Sequence, residues 1–126
     1  MRDPNHTAYL RGDKLFKLGK FADAASRFKE ALEEWPEDWQ AMWALGNCYT
    51  ALNKHRKAEE QFRGAIEIAA SAELPGLYFN LGNTLFDQGK YEEAIAQYCL
   101  VPGGHHIARS AANNIALAKR RMSGES

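Results

Sequence analysis

Residues 78–98 read YFNLGNTLFDQGKYEEAIAQY, and much of this stretch recurs twice earlier in the chain. The related stretches are MWALGNCYTALNKHRKAEEQF at residues 42–62 and AYLRGDKLFKLGKFADAASRF at residues 8–28. Alignment of the three places small and aromatic residues in four matching sets, separated by 34 and then 36 residues. The sets are Gly12, Gly46 and Gly82; Ala24, Ala58 and Ala94; Phe28, Phe62 and Tyr98; and Ala31, Ala65 and Val101. Four sets in one register indicate an internal repeat.

Each repeat divides into two helical segments joined by a short turn. In the first segment Ala8, Gly12 and Leu15 lie on one helical stripe, and Arg11 is the weak member of that stripe. The turns fall at residue types that tolerate a left-handed backbone, which are Gly19, Asn53 and Gly89. We expect helices over residues 5–18, 21–34, 38–52, 55–70, 74–88, 91–101 and 105–121.

Gly or Ala at two positions of each repeat predicts that two helix backbones approach closely, with Phe or Tyr filling the remaining space. A helical hairpin of this size cannot bury its apolar face alone. The repeats are therefore expected to stack on one another. His55 occupies the position of Phe21 and Tyr91, so we expect it to pack as an aromatic substitute.

The 34-residue period with its W-x2-L-G-x2-Y, A-x3-F, A, P pattern resembles the tetratricopeptide repeat (TPR) family. The best-matching positions are Tyr78, Leu81, Gly82, Leu85, Gly89, Tyr91, Ala94 and Tyr98. The resemblance covers about residues 5–121. It implies an all-α fold, a right-handed superhelix of antiparallel helix pairs with three TPR units plus a C-terminal capping helix. As one domain over residues 1–126, the repeats would span about residues 5–38, 39–74 and 75–108, and the cap about residues 105–121.

Two departures from the repeat pattern predict local changes. Two extra residues within EIAASAELPG, residues 67–76, imply either a longer second helix or a wider turn. VPGG at residues 101–104 should end the preceding helix about a turn early, because proline lacks a backbone donor.

The last helix is predicted to pack through one stripe and to expose a polar face, as a terminal cap must. The stripe residues are Ile107, Ala111, Ile115, Ala118 and Met122. The same stripe could instead be a surface for self-association, or the surface against which a lost neighbouring repeat packed.

In this family the groove that binds a peptide or protein segment is lined by the first helix of each repeat. Carried over by position, the groove residues here are Tyr9, Asp13, Phe16, Trp43, Asn47, Phe79, Asn80, Asn83, Phe86, Asn114 and Arg121. Further groove positions hold Thr50, Asn113 and Leu117. Five of these side chains are aromatic, and a large exposed apolar patch usually marks an interaction site.

The resemblance therefore implies a non-enzymatic adaptor or scaffold for protein binding. The alternatives are a self-associating assembly module, with a homo-oligomer as its product, and a regulatory TPR segment of a larger enzyme. Some family members bind a C-terminal carboxylate through two Asn side chains and three cationic side chains, a site called a clamp. Asn47 and Asn80 match that clamp, but the cation positions hold Trp43, Ser110 and Asn114. Without cationic side chains the charge-assisted hydrogen bonds to a carboxylate are missing, so we do not expect this clamp.

No catalytic or cofactor motif is present in the sequence, and we expect no cofactor and no metal site. His105 and His106 are adjacent and do not share a helical face, so a loop or helix-start role is expected. Asp plus Glu and Lys plus Arg both number 16, so net charge supplies no attraction to nucleic acid.

The sequence has no apolar run long enough to insert into a membrane. The first residues also lack the apolar core of a secretory signal, so we expect a cytoplasmic chain. Cys48 and Cys99 both fall in predicted helices, and we expect two buried free thiols in place of a disulfide.

Overall fold

The computed structural model describes residues 6–124, and within them the chain forms helices and no strand. The α-helices are α1 (Thr7–Lys17), α2 (Phe21–Glu34), α3 (Trp39–Ala51), α4 (His55–Ile68), α5 (Leu74–Asp87), α6 (Tyr91–Tyr98) and α7 (Ala108–Met122). A short 3₁₀ helix, Ser71–Glu73, precedes α5. The predicted all-α fold of three helix pairs and a final helix is confirmed. The predicted start of the first helix at residue 5 lies outside the described residues.

The chain divides into two compact units, Met1–Ala69 and Ala70–Ser126. In the N-terminal unit α1 packs on α2, α2 on α3, and α3 on α4. In the C-terminal unit α5 packs on α6, and α6 on α7. Since three-residue turns join the helices of each pair, the two helices run antiparallel.

The repeated glycines sit where a ring of the second helix crosses the first helix. A Cβ atom on Gly12 would lie 2.8 Å from the Phe28 ring, and a Cβ atom on Gly46 would lie 2.6 Å from the Phe62 ring. On Gly82 it would lie 2.6 Å from the Tyr98 ring. These rings are buried, as are the repeated alanines, which confirms that small residues allow close helix contact and that Phe or Tyr fills the space.

The three intra-repeat turns share one geometry. Gly19, Asn53 and Gly89 have φ angles of 78°, 59° and 78°, the left-handed conformation that the sequence predicts. In each turn the N–H of the following lysine donates to a carbonyl five residues earlier, with N–O distances of 2.8–2.9 Å. This bond satisfies a carbonyl that the helix end would otherwise leave unpaired.

Both departures from the repeat pattern change the structure locally. The extra residues of the second repeat form the 3₁₀ helix, so the wider-turn alternative is correct and α4 ends at Ile68. Helix α6 ends at Tyr98, three residues before the predicted end, and α7 begins at Ala108 instead of residue 105. Tight turns replace the helix at Leu100 and Val101, whose N–H groups donate to carbonyls three residues earlier. Pro102 cannot continue the helical bonding.

Three side chains lie elsewhere than the sequence predicts. Cys99 is exposed because α6 ends one residue before it. Met122 is 47% exposed because it is the last residue of α7, one turn beyond the buried Ala118. Arg11 is exposed, whereas Leu45 and Leu81 at its repeat position are buried.

Candidate functional site

The predicted groove residues occupy the same face of the first helices in each compact unit. In the N-terminal unit they form a set that we call the N-terminal strip, consisting of Tyr9, Asp13, Phe16, Trp43 and Asn47. In the C-terminal unit they form the C-terminal strip, consisting of Phe79, Asn80, Asn83, Phe86, Asn114 and Arg121. Arg121 is exposed, and every other member of both strips is half-buried. Half-burial leaves ring edges and amide groups at the surface while the side chains remain held by neighbours.

The aromatic rings of the N-terminal strip rest on other rings of the same repeat. Tyr9 meets Phe28 edge-on with ring centroids 5.4 Å apart, and Phe16 meets Phe21 at 5.1 Å. Aromatic pairs in this arrangement are favourable beyond their buried area. These contacts fix the rings of the strip, so they present a preformed apolar surface.

Trp43 belongs to the second repeat and has a different partner. Its ring lies 6.3 Å from the Trp39 ring, and the two planes are tilted by 35°. Trp39, the first residue of α3, therefore supports the strip. Asp13 forms an ion pair with Lys17 at 3.0 Å on the exposed side of α1, a surface pair of small energetic value.

The C-terminal strip repeats the ring contacts of the first repeat. Phe79 lies 5.8 Å from Tyr98, and Phe86 lies 5.2 Å from Tyr91 in an edge-on arrangement. In addition, the Arg121 guanidinium of α7 stands 5.7 Å from the centroid of the Phe86 ring. A cation over a ring face is attracted by the ring quadrupole. Two predicted groove residues from different helices are thus in contact.

A hydrogen-bond cluster joins α5, α6 and α7 in the same strip. The Tyr98 hydroxyl donates to Asn83 Oδ1 at 2.6 Å, and Asn114 Nδ2 donates to the same oxygen at 3.1 Å. Burial raises the pKa of Tyr98 to about 12, against a smaller lowering by the Asn114 hydrogen bond. Tyr98 therefore stays protonated near neutral pH and donates to Asn83.

Tyr98 is the member of this cluster that the predicted groove set omits. The sequence assigned it to packing, because Phe28 and Phe62 fill its position in the other repeats. The hydroxyl is the one group that distinguishes it from those phenylalanines. The sequence feature that could have predicted this cluster is therefore a tyrosine at a repeat position where the other two repeats have phenylalanine.

In the first and third repeats a pair of aromatic rings joins the end of the first helix to the start of the second helix. The second repeat lacks this pair. Thr50 and His55 stand in place of Phe16 with Phe21 and of Phe86 with Tyr91. Thr50 Oγ1 donates to the Gly46 carbonyl at 3.0 Å, within its own helix. The Nδ1 atom of His55 is buried and has no hydrogen-bond partner. His55 is half-buried at the aromatic position and buries an unsatisfied polar atom there.

A small pocket of about 260 Å³ lies at the start of α1, and no residue of the N-terminal strip lines it. Its lining residues are His6, Thr7, Ala8, Arg11, Glu30, Glu34 and Trp35. His6 is buried, with Nε2 3.4 Å from the Ala31 carbonyl oxygen and 3.8 Å from a Glu34 carboxylate oxygen. No repeated position marks this pocket in the sequence, because His6 precedes the first repeated residue.

The remaining chemically active side chains do not converge. Within residues 6–124, no group of three or more His, Cys, Asp or Glu could hold a metal ion. The rings of His105 and His106 lie 4.3 Å apart, and His105 Nδ1 accepts from the Ile107 N–H just before α7. Cys48 is fully buried, and burial raises the pKa of its thiol to about 11. No helix in the described part of the chain combines the length and hydrophobicity of a membrane span.

Comparison with known proteins agrees with the repeat found in the sequence. Residues 9–75 match the tetratricopeptide repeat family, and residues 75–101 match a second tetratricopeptide repeat profile. The chain is 34% identical over 84 residues to the BBSome complex member BBS4 of Mus musculus, covering 67% of this chain and 16% of that protein. The chain spans only 7% to 16% of the length of the curated relatives that it matches.

Solved structures share the fold at low sequence identity. The Yersinia enterocolitica type III secretion chaperone SycD, in complex with a peptide of the translocator YopD, superimposes with a TM-score of 0.83 at 17% identity, covering 97% of each chain. The first TPR of Spaghetti (RPAP3), bound to an HSP90 peptide, gives a TM-score of 0.80 at 20% identity over 92% of this chain and 90% of that one. With its three helix pairs, its repeated glycine–ring contacts and the family match over residues 9–75, the chain belongs to the tetratricopeptide repeat family.

Proposed function

We propose that this chain is a non-enzymatic interaction module that binds a peptide or protein segment, with the strip of each unit as a contact surface. The observation that carries the proposal is the half-burial of the strip residues, whose rings are fixed by neighbours but still reach the surface. Fixed aromatic side chains lose little conformational freedom when they bind a partner, so they are favourable anchors. The peptide-bound SycD and RPAP3 structures support this use of the fold.

The side chains of the strips favour a partner that combines apolar groups with an exposed backbone. Five aromatic rings supply the apolar contact, while Asn47, Asn80 and Asn83 each carry an amide donor and acceptor. The chain has no net charge, so long-range attraction contributes little to encounter. We therefore propose a role as an adaptor or scaffold for an extended or helical segment, and not for nucleic acid. The free thiols fit a reducing, cytoplasmic location.

The test is capture of partners from a native lysate by the purified chain and by a double variant, Trp43→Ala with Asn80→Ala. Truncation of an aromatic anchor typically costs about 2 kcal/mol or more of binding free energy. Loss of one hydrogen bond costs about 1 kcal/mol. The double variant should therefore lose partners that the parent retains, while circular dichroism shows similar helical content.

The matched control is Leu18→Ala with Gln97→Ala, which changes an exposed apolar side chain and an amide on the second helix of the third repeat, both outside the predicted groove positions. This control should retain the same partners as the parent. If the double variant captures every partner and Ile115→Asp loses them, the proposal gives way to assembly through α7. Light scattering over a concentration series would then show an oligomer that Ile115→Asp abolishes.

A further inference from the structure

Two lysine side chains of the N-terminal unit converge on one buried aromatic ring. The ammonium groups of Lys29 in α2 and Lys57 in α4 each lie 5.8 Å from the centroid of the Tyr49 ring in α3. Both distances are within the range over which a ring attracts a cation. Tyr49 is only 6% exposed, whereas both lysines are exposed, so the ring is covered while the charged groups reach solvent.

The ring and one of the two cations are specific to the second repeat. The position of Tyr49 is leucine in the other two repeats, and leucine does not attract a cation. The position of Lys57 holds an acidic residue in the others, Asp23 or Glu93. The contact of two cations with one ring is therefore not a requirement of the repeat fold.

No carboxylate forms an ion pair with either lysine within residues 6–124. The ion pairs of α2 and α4 there use Arg27 and Arg63 as their cations, and leave Lys29 and Lys57 out. The two ammonium groups are separated by no more than twice 5.8 Å. At an ionic strength of about 0.01 M the Debye length is roughly 30 Å, so both charges act together on a nearby anion.

Two further cations lie beside Lys57 at the start of α4. Lys54 directly precedes the helix and Arg56 is its second residue, and both are exposed. In the described part of the chain neither side chain makes an ion pair, and the first turn of α4 has no acidic residue. We call Lys29, Lys54, Arg56 and Lys57 the basic patch. It is a local surplus of positive charge on a chain that has no net charge.

We propose that the basic patch binds an acidic peptide segment, at a surface separate from the two strips. The strips lie on the first helices and on α7, whereas Lys29, Arg56 and Lys57 belong to second helices. Carboxylates of the segment form charge-assisted hydrogen bonds with the ammonium and guanidinium groups. Tyr49 is the positioning residue, because its ring holds two flexible lysine side chains where one segment can contact both.

The surroundings of the basic patch favour a peptide over other polyanions. Single-stranded nucleic acid stacks its bases on exposed rings, and Tyr49 is buried. A membrane surface requires apolar side chains beside the cations, but the exposed residues one helical turn from the two ring-bound lysines include Ser26, Glu33 and Glu60. Three of the four cations are lysines, which lack the planar fork with which arginine binds phosphate.

The test is a titration with a synthetic peptide and requires no natural partner. Rhodamine-labelled hexaglutamate or hexalysine is titrated with the full chain at low ionic strength, and fluorescence anisotropy measures binding. Hexaglutamate should bind, and its affinity should fall as sodium chloride is added, because salt screens exposed charges. Hexalysine should not bind. Absence of hexaglutamate binding, or displacement of hexaglutamate by oligodeoxythymidine at a lower concentration of charges, would overturn the proposal.

The charges are tested with Lys29→Gln combined with Lys57→Gln. This variant should bind hexaglutamate roughly tenfold more weakly, since a local field of one sign changes association by such factors. The matched control is Lys119→Gln with Arg120→Gln, which removes two exposed cations from α7 and gives the same net charge. The control should bind like the parent. Equal losses in the two variants would overturn the proposal, because binding would then follow net charge alone.

The positioning role is tested with Tyr49→Leu, which introduces the side chain of the other repeats and keeps every charge. Affinity should fall by roughly fivefold with the same salt dependence and unchanged helical content. Tyr49→Phe keeps the ring and should bind like the parent. Glu60→Gln, which removes an exposed carboxylate one turn along α4, should strengthen binding. An unchanged affinity in Tyr49→Leu would overturn the role of the ring.

The basic patch and the strips can be tested independently of each other. Trp43→Ala with Asn80→Ala changes the strips alone, so this variant should bind hexaglutamate like the parent. Failure of the hexaglutamate titration would overturn the role of the basic patch, whereas loss of the lysate-capture difference would overturn the proposed function of the strips.

Discussion

The two strips hold their aromatic rings alike but differ in their polar contacts. Tyr9 and Phe79 occupy equivalent positions, and each lies against the ring that crosses the repeat glycine. In the C-terminal strip, hydrogen bonds and a cation–ring contact also tie α5 to α7. In the N-terminal strip the Asp13–Lys17 ion pair stays within α1.

The difference shows how one repeat scaffold can present two kinds of surface. Ring packing fixes apolar side chains but does not orient a donor or an acceptor. A hydrogen bond that saturates one end of an amide does orient it, because the other end must then face outward. We infer that both strips contribute contact area, and that the hydrogen-bond cluster of the C-terminal strip adds selectivity for the partner's polar groups.

The largest expected effect comes from filling the glycine–ring contact. Gly46→Leu and Gly82→Leu place side-chain atoms where the rings of Phe62 and Tyr98 already lie. Overpacking of this kind costs typically about 1–3 kcal/mol in the free energy of unfolding. Urea unfolding should show a lower free energy of unfolding for each of the two variants. In Gly82→Leu the displaced Tyr98 should also release Asn83, so the NMR signal of the Asn83 side-chain amide should move.

The control for that pair is Gly64→Ala in α4. A Cβ atom there meets only the Met42 sulfur, at 3.4 Å, so space is available. Replacing a mid-helix glycine by alanine stabilises by roughly 0.5–1 kcal/mol. If Gly46→Leu and Gly82→Leu unfold at the same urea concentration as the parent, the proposed close contacts do not determine the packing.

Alkaline pH should destabilise the C-terminal strip through Tyr98. The folded-state pKa of Tyr98 is raised from 10.0 to about 12, so the folded state holds the proton more tightly than the unfolded chain. The associated stability is complete below pH 10 and is lost as the pH rises towards 12. The loss is on the order of 3 kcal/mol, since each of the roughly two pKa units corresponds to about 1.4 kcal/mol.

The alkaline measurement compares the unfolding free energy of the parent with that of Tyr98→Phe at several pH values. Subtracting the two curves removes the contribution of Cys48, whose raised pKa of about 11 acts in the same range. The difference between the curves should shrink above pH 10. Parallel curves for the parent and the variant would show that the Tyr98 hydroxyl is not buried as described.

A smaller, opposite effect is expected at the turn of the second repeat. His55→Phe restores the ring type of the other repeats and removes the buried, unpartnered Nδ1 atom. Removing a buried unsatisfied polar atom should raise the free energy of unfolding by about 1 kcal/mol. Thermal melting measures the change. The reverse substitution at the equivalent position, Phe21→His, should lower the melting temperature, and a destabilised His55→Phe variant would contradict this account.

The sequence predicts the helices and their contacts because these depend on residues at fixed spacings. The register of Gly12 with Phe28, and the left-handed turn at Gly19, both follow from local pattern and backbone chemistry. Cys99 was placed wrongly because the exact end of α6 depends on how Pro102 affects the preceding turn. Helix boundaries are therefore less predictable than helix contacts.

The hydrogen-bond cluster was beyond prediction for another reason. Asn83 meets side chains 15 and 31 residues away in the sequence, and the orientation of its amide depends on both. The family position predicts that Asn83 is a groove residue but does not determine which end of its amide is bonded within the protein. That information requires the side-chain geometry of three helices at once.

The central claim is that the strips are the binding surface, and photocrosslinking measures this most directly. A photoreactive benzoylphenylalanine is introduced separately at Tyr9, at Phe79, and at the exposed second-helix positions Ala22 and Ala96. Each variant is irradiated in the presence of captured partner, and crosslinked products are separated by mass. We predict crosslinks from positions 9 and 79 and none from positions 22 and 96. Crosslinks from positions 22 and 96 without any from 9 and 79 would contradict the account.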